Sequence, residues 1–97
     1  MNRIRNPDAN ITTTERTAAL ATAREVILRL RGRPGAVYAS VLRRSAEGEL
    51  EIKLWGTRRS FWVGPSEVVR ASVATGLTPA RVAHIERKQR REEEATP

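Results

Sequence analysis

The chain reads as an α+β domain: an N-terminal helix packed on a three-stranded antiparallel meander, followed by two C-terminal helices. Three observations predict this. Residues 36–63 hold three short runs of period-two alternation separated by glycine-bearing turns. Residues 13–31 carry apolar side chains at helical spacing and stop at Gly32 and Pro34. After Val63, two segments open on proline, at Pro65 and at Pro79, with Gly76 between them.

The first ten residues, with Arg3, Arg5 and Pro7, lack periodicity and read as a flexible basic arm. A helix is expected over residues 13–31. Thr12 and Glu15 have capping-box spacing, and Ala19, Leu20, Ala23, Val26, Ile27 and Leu30 share one arc. That arc is the expected cover of the sheet. Phe61 is expected to be buried against it.

The meander can be registered from its turns. A two-residue loop at Gly56-Thr57 suits a type II′ turn and pairs Trp55 with Arg58, Leu54 with Arg59, Ile52 with Phe61 and Leu50 with Val63. A four-residue loop at residues 45–48 pairs Arg44 with Glu49, Val41 with Ile52 and Ala39 with Leu54. One face then collects Val37, Ala39, Val41, Leu50, Ile52, Leu54, Phe61 and Val63. The other collects Tyr38, Ser40, Leu42, Arg44, Glu51, Lys53, Trp55, Arg58, Ser60 and Trp62. Three aromatics thus fall among cations. Such a face is either a stabilising cross-strand cluster or a platform for nucleic acid. Tyr38, Lys53, Trp55, Arg58 and Trp62 are its candidate contacts.

Beyond the sheet, a second helix is expected over residues 65–75, with Val68, Val69, Ser72 and Val73 inward. A third follows Thr78-Pro79, with Thr78 as N-cap, Val82, Ile85 and Gln89 inward, and Arg81, His84, Arg87, Lys88 and Arg91 outward. Residues 92–97 read as a disordered tail, which leaves residues 11–91 as one domain.

Composition narrows the function. The 97 residues hold 18 Lys and Arg against 11 Asp and Glu, a net charge of +7. That excess favours a polyanionic partner, and arginine grips phosphate bidentately. No cysteine is present and the one histidine is His84, so disulfides and cysteine- or histidine-built metal sites are excluded. With a single Asp, in the N-terminal arm, there is no catalytic triad, acid pair or phosphate-cradling loop. The expectation is a non-enzyme that uses no cofactor or metal. No apolar run reaches a membrane span and no signal-peptide core is visible, so a cytoplasmic home is expected. The light core suggests a homodimer.

Residues 76–88, Gly-Leu-Thr-Pro-Ala-Arg-Val-Ala-His-Ile-Glu-Arg-Lys, resemble the turn and recognition helix of bacterial helix-turn-helix domains. They are most similar to the last DNA-binding region of the major sigma factors, and to a lesser degree to phage-repressor-type regulators. The family pattern of Gly, an apolar residue, Thr or Ser, a spaced aliphatic and then Ile-Glu falls on Gly76, Leu77, Thr78, Val82, Ile85 and Glu86. The resemblance implies that Pro79, Ala80, Arg81, His84 and Lys88 reach bases, Arg81 and Lys88 as guanine readers, while Arg87 and Arg91 hold phosphate. Upstream it weakens, because the sigma-factor region is all helical and a meander is expected here.

The expected function is therefore a small basic DNA-binding protein, a transcriptional regulator or a mobile-element protein. Two alternatives stand beside it. One is a phage- or plasmid-type inhibitor that binds a host protein or ribonucleoprotein complex. The other is an RNA-binding domain, since α-β-β-β-α is also the order of the double-stranded-RNA-binding fold.

Overall fold

The computed structural model describes residues 16–95. Its centre is a five-stranded antiparallel sheet with order β4-β3-β2-β1-β5. The strands are β1 (Glu25–Leu30), β2 (Ala36–Arg44), β3 (Leu50–Leu54), β4 (Ser60–Val63) and β5 (Val68–Val73). A short helix, α1, precedes them at residues 16–21. One helix, α2 (Pro79–Ala95), follows.

The expected three strands are thus five, and the expected two C-terminal helices are one. Both corrections have the same cause. Residues 26–30 and 68–73 are apolar at spacings that fit a helix and a strand alike, and both are rich in valine or isoleucine. Pairing decides between the two. Glu25–Arg29 lie antiparallel to Ala36–Ser40, and Val26–Leu30 to Val68–Val73. Within β1 the alternation is then that of a strand: Val26, Leu28 and Leu30 are buried and Arg29 is exposed. The first helix therefore ends at residue 21 instead of reaching Arg31. Pro65 does open a helical segment, but only the 3-10 turn Pro65–Glu67, where the Glu67 carboxylate accepts the Gly64 N–H at 2.7 Å.

The meander pairs as its turns imply. Ala39 faces Leu54, Val41 faces Ile52, Ile52 faces Phe61 and Leu50 faces Val63. Two details differ. A bulge at Leu42 shifts the register, so Arg44 meets Leu50 instead of Glu49. It also carries Arg44 off the polar face. The Arg44 guanidinium donates to the carbonyls of Leu20 at 2.9 Å, Ala19 at 3.0 Å and Ala23 at 2.6 Å, and so caps the end of α1. The second difference is the β3–β4 turn. It closes as Leu54–Thr57, with Thr57 N–H donating to Leu54 O at 3.0 Å and Gly56 at φ +85° in its third position, the type II geometry.

The link from β4 to β5 sets the shape of the sheet. β4 and β5 are its opposite edges, about 19 Å apart if the sheet were flat. The chain from Val63 to Val68 spans about 18 Å even when fully extended, and here it contains a 3-10 turn. The sheet must therefore roll until its edges approach. One core results, with Leu28, Leu50, Ile52 and Val26 fully buried and Val63 and Val68 in the same cluster. Each such aliphatic side chain contributes about 1.5–3 kcal/mol on burial. α1 covers one mouth of the roll through Ala19 and Leu20, with Ala23 just beyond its end. α2 lies at the other mouth, beside Tyr38 and Gly56. No helix of the described residues is long and apolar enough to cross a membrane.

Candidate nucleic-acid interface

α2 is attached by a side chain that completes a β-ladder. Tyr38 and Trp55 lie opposite each other at the end of β2 and β3, and Trp55 N–H donates to Tyr38 O at 3.0 Å. The reciprocal bond is replaced by Gln89. Its Oε1 accepts the Tyr38 N–H at 2.8 Å, and its Nε2 donates to Trp55 O and to Tyr38 O, both at 2.9 Å. Gln89 is 5% exposed, so these bonds satisfy a buried amide. One turn earlier, Ile85 is buried as well. Gly56 admits the helix backbone: a Cβ there would stand 2.8 Å from the Glu86 Cα. Arg90 Nε donates to Gly56 O at 3.1 Å. At the start of α2, Thr78 Oγ1 accepts the Arg81 N–H at 3.2 Å, the cap expected from the sequence.

Docked in this way, α2 forms one wall of a cleft of about 600 Å³. Arg81, His84 and Lys88 line that wall. The β1–β2 turn supplies Arg33 on another side, Arg59 comes from the approach to β4, and Phe61 from β4 itself. Val37, Leu54 and Ile85 are the apolar lining between them. Glu92 and Glu93 stand at the far end, about 16 Å along the helix from Arg81. Four permanent cations thus face two carboxylates. None of the side chains of Arg33, Arg59, Arg81 and Lys88 has a hydrogen bond or ion pair among the described residues.

Phe61 corrects an expectation. By alternation it belongs with the inward residues, and burial against the first helix was expected. It is instead 37% exposed, because the roll leaves its end of β4 open beneath the cleft. α1 lies at the opposite mouth.

The outer sheet face carries the other candidates. The Tyr38 and Trp55 rings lie 5.3 Å apart, tilted by 39°, and both residues are half-buried. Trp55 Nε1 donates to Glu25 Oε1 at 2.7 Å, and Ser40 Oγ donates to the same oxygen at 2.8 Å. Trp62 is 43% exposed, with the Arg43 guanidinium 5.5 Å from its ring centroid. Arg43 in turn donates to Glu51 at 2.7 Å, and Ser60 Oγ donates to the other oxygen at 3.0 Å. The Arg43 hydrogen bond holds the Glu51 carboxyl below the usual carboxylate range, and the same bond raises the Arg43 guanidinium. Lys53 is half-buried and Arg58 is exposed in the β3–β4 turn.

The ten predicted contacts therefore separate into three groups. Arg81, His84 and Lys88 join the cleft. Lys53, Trp55, Arg58 and Trp62 belong to the outer face or its turn, and Tyr38, whose ring packs on Trp55, belongs to that face and lines the cleft as well. Arg87 and Arg91 are exposed and do not line the cleft. Arg33, Arg59 and Phe61 were not among the sequence candidates. The segment before Gly76, expected as the first helix of a helix-turn-helix, is β5, so α2 follows a strand. The arm with Arg3 and Arg5, and residues 96–97, lie outside the described residues. Of the residues read as a tail, 92–95 continue α2. Among the described residues, no group of three His, Asp or Glu could hold a metal ion. No protein-family model, no curated protein and no solved structure matches the chain.

Proposed function

We propose that this protein binds nucleic acid, DNA ahead of RNA, and carries no reaction of its own. The observation that supports the reading is convergence. Three segments far apart in the chain each bring cations to one cleft, and none of the four is neutralised inside the protein. All four are exposed around one recess, where their mutual repulsion favours an anionic ligand. Phosphate is the anion that a guanidinium fork fits best. DNA ranks ahead of RNA because Arg81, His84 and Lys88 belong to the segment that resembles a DNA-reading helix. Arg87 and Arg91, on the free side of α2, extend the positive field beyond the cleft.

The test is binding of fluorescent oligonucleotides, single-stranded and duplex, at several salt concentrations. Affinity should fall linearly on a log–log plot, with a slope of roughly −0.7 to −0.9 per phosphate neutralised. Replacing Arg81 by Ala should reduce that slope by about one unit. Absence of binding to every oligonucleotide at low salt would overturn the proposal and turn attention to an acidic protein partner.

A further inference from the structure

We infer that the cleft between α2 and the β1–β2 turn takes an unpaired stretch of nucleic acid, with one base stacked on Phe61. This rests on the nucleic-acid reading above and sharpens it to single-stranded ligand. Three features of the cleft carry the step.

The first is the chemistry of its lining. A recess that binds phosphate alone needs only cations. This one also holds a phenyl ring 37% exposed, set among Val37, Leu54 and Ile85. Phosphate gains nothing from that surface, whereas the flat face of a base does. An apolar floor beneath a cationic rim matches a nucleotide unit, base inward and backbone outward.

The second is shape. In a duplex the base faces are stacked on one another, and what a protein meets is phosphate, sugar and base edges in the grooves. A ring at the bottom of a cleft can reach a base face only if the base has left its stack. About 600 Å³ is the volume of a small-ligand pocket, far too narrow for a double helix.

The third is the position of the charges. Arg33 and Arg59 come from the loops at β2 and β4, Arg81 and Lys88 from two turns of α2, so separate elements bring cations to the cleft that Phe61 lines. A strand crossing the cleft can lay phosphates on both flanks while one base turns inward. Glu93 at the far end repels phosphate there. The helix wall is rigidly placed, because Gln89 and Gly56 fix it to the β3 end.

The experiment compares a 12-nucleotide single strand, the duplex of the same sequence and a deoxynucleoside monophosphate, with wild type, Phe61→Leu and Phe61→Tyr. Melting curves confirm that each variant folds. The single strand should bind more tightly than the duplex. Phe61→Leu should weaken the single strand by about tenfold or more, the effect of losing one stacked base, and leave duplex binding unchanged. Phe61→Tyr keeps the ring and should restore single-strand binding.

Equal affinity for strand and duplex, with Phe61→Leu indistinguishable from wild type, would overturn this inference while nucleic-acid binding stands. A monophosphate that binds as tightly as the strand would also overturn it, in favour of a mononucleotide site. Failure of every oligonucleotide to bind would overturn both readings.

Discussion

The outer sheet face and the α2 cleft are both built from aromatics and arginines, yet they differ in what those groups already touch. On the sheet, Trp55 donates to Glu25, Arg43 donates to Glu51, and the Tyr38 and Trp55 rings lie against each other. There Trp55, Ser40, Arg43 and Glu51 already have partners. In the cleft, Arg33, Arg59, Arg81 and Lys88 have no internal partner among the described residues, and Phe61 is partly exposed. Residue type alone would rank the sheet higher, since it holds both tryptophans. Counting partners reverses the order: a group that has satisfied its own chemistry has less to offer a ligand.

The comparison can be broken most severely at Gly56. A methyl group there meets the Glu86 backbone, which cannot rotate away, and φ is +85°. Gly56→Ala should cost about 2–4 kcal/mol of stability, combining left-handed strain with lost helix docking. Single-strand binding should disappear with the cleft wall, while Trp62 fluorescence keeps its wild-type exposure. Wild-type melting and binding in this variant would show that α2 does not need its present seat.

Gln89→Leu is a gentler cut at the same joint. It leaves the Tyr38 N–H and the Trp55 carbonyl without their partner, at a cost of about 1–3 kcal/mol. Hydrogen exchange should accelerate at the Tyr38 amide and along α2 well before the β1–β5 ladder is affected. Uniform acceleration through all five strands would mean that the helix and sheet open as one unit.

The smallest effect belongs to the outer face. The Glu51 carboxyl lies below its ordinary range in the folded chain, mainly through the Arg43 hydrogen bond. A carboxyl lowered in this way stabilises the fold fully above its unfolded value, near about pH 4.3. That contribution is lost as pH falls through the lower folded value. Glu51→Gln should therefore melt slightly below wild type at neutral pH, with the gap closing on acidification. DNA affinity should stay the same. A several-fold gain in affinity from the freed Arg43 would bring the sheet face into the binding surface.

The meander and the start of α2 were legible before folding, and the remainder was not. The meander was readable because alternation and turn glycines are local signals, and the Ala39–Leu54 and Leu50–Val63 pairs follow from them. The start of α2 was readable from Thr78 and Pro79. β1 and β5 were not, because Val26-Ile27-Leu28 and Val68-Val69 satisfy both periods and only their pairing to each other settles the matter. The cleft was half visible. Arg81, His84 and Lys88 stand out on one helix, but Arg33, Arg59 and Phe61 reach them only through the roll of the sheet. The basic turn at residues 31–35 was a weak hint for Arg33, and nothing local marked Phe61.

The brevity of the β4–β5 link also governs how the chain can assemble. Val26 and Val73 are partners across nearly the full length of the sheet-forming chain. Bringing them together first would close a loop of roughly fifty residues; once the meander exists, only about five remain to be closed. The entropy difference is about 2 kcal/mol, enough to favour one sequence of events over its reverse. Hairpins β1–β2, β2–β3 and β3–β4 can each form from neighbours, and β5 then lands on β1 as the seam. α2 is tethered to β5 and clasps Tyr38 and Trp55, so it reaches its seat after the seam has closed. A chain emerging N-terminus first from synthesis would therefore complete its core before its cationic helix arrives.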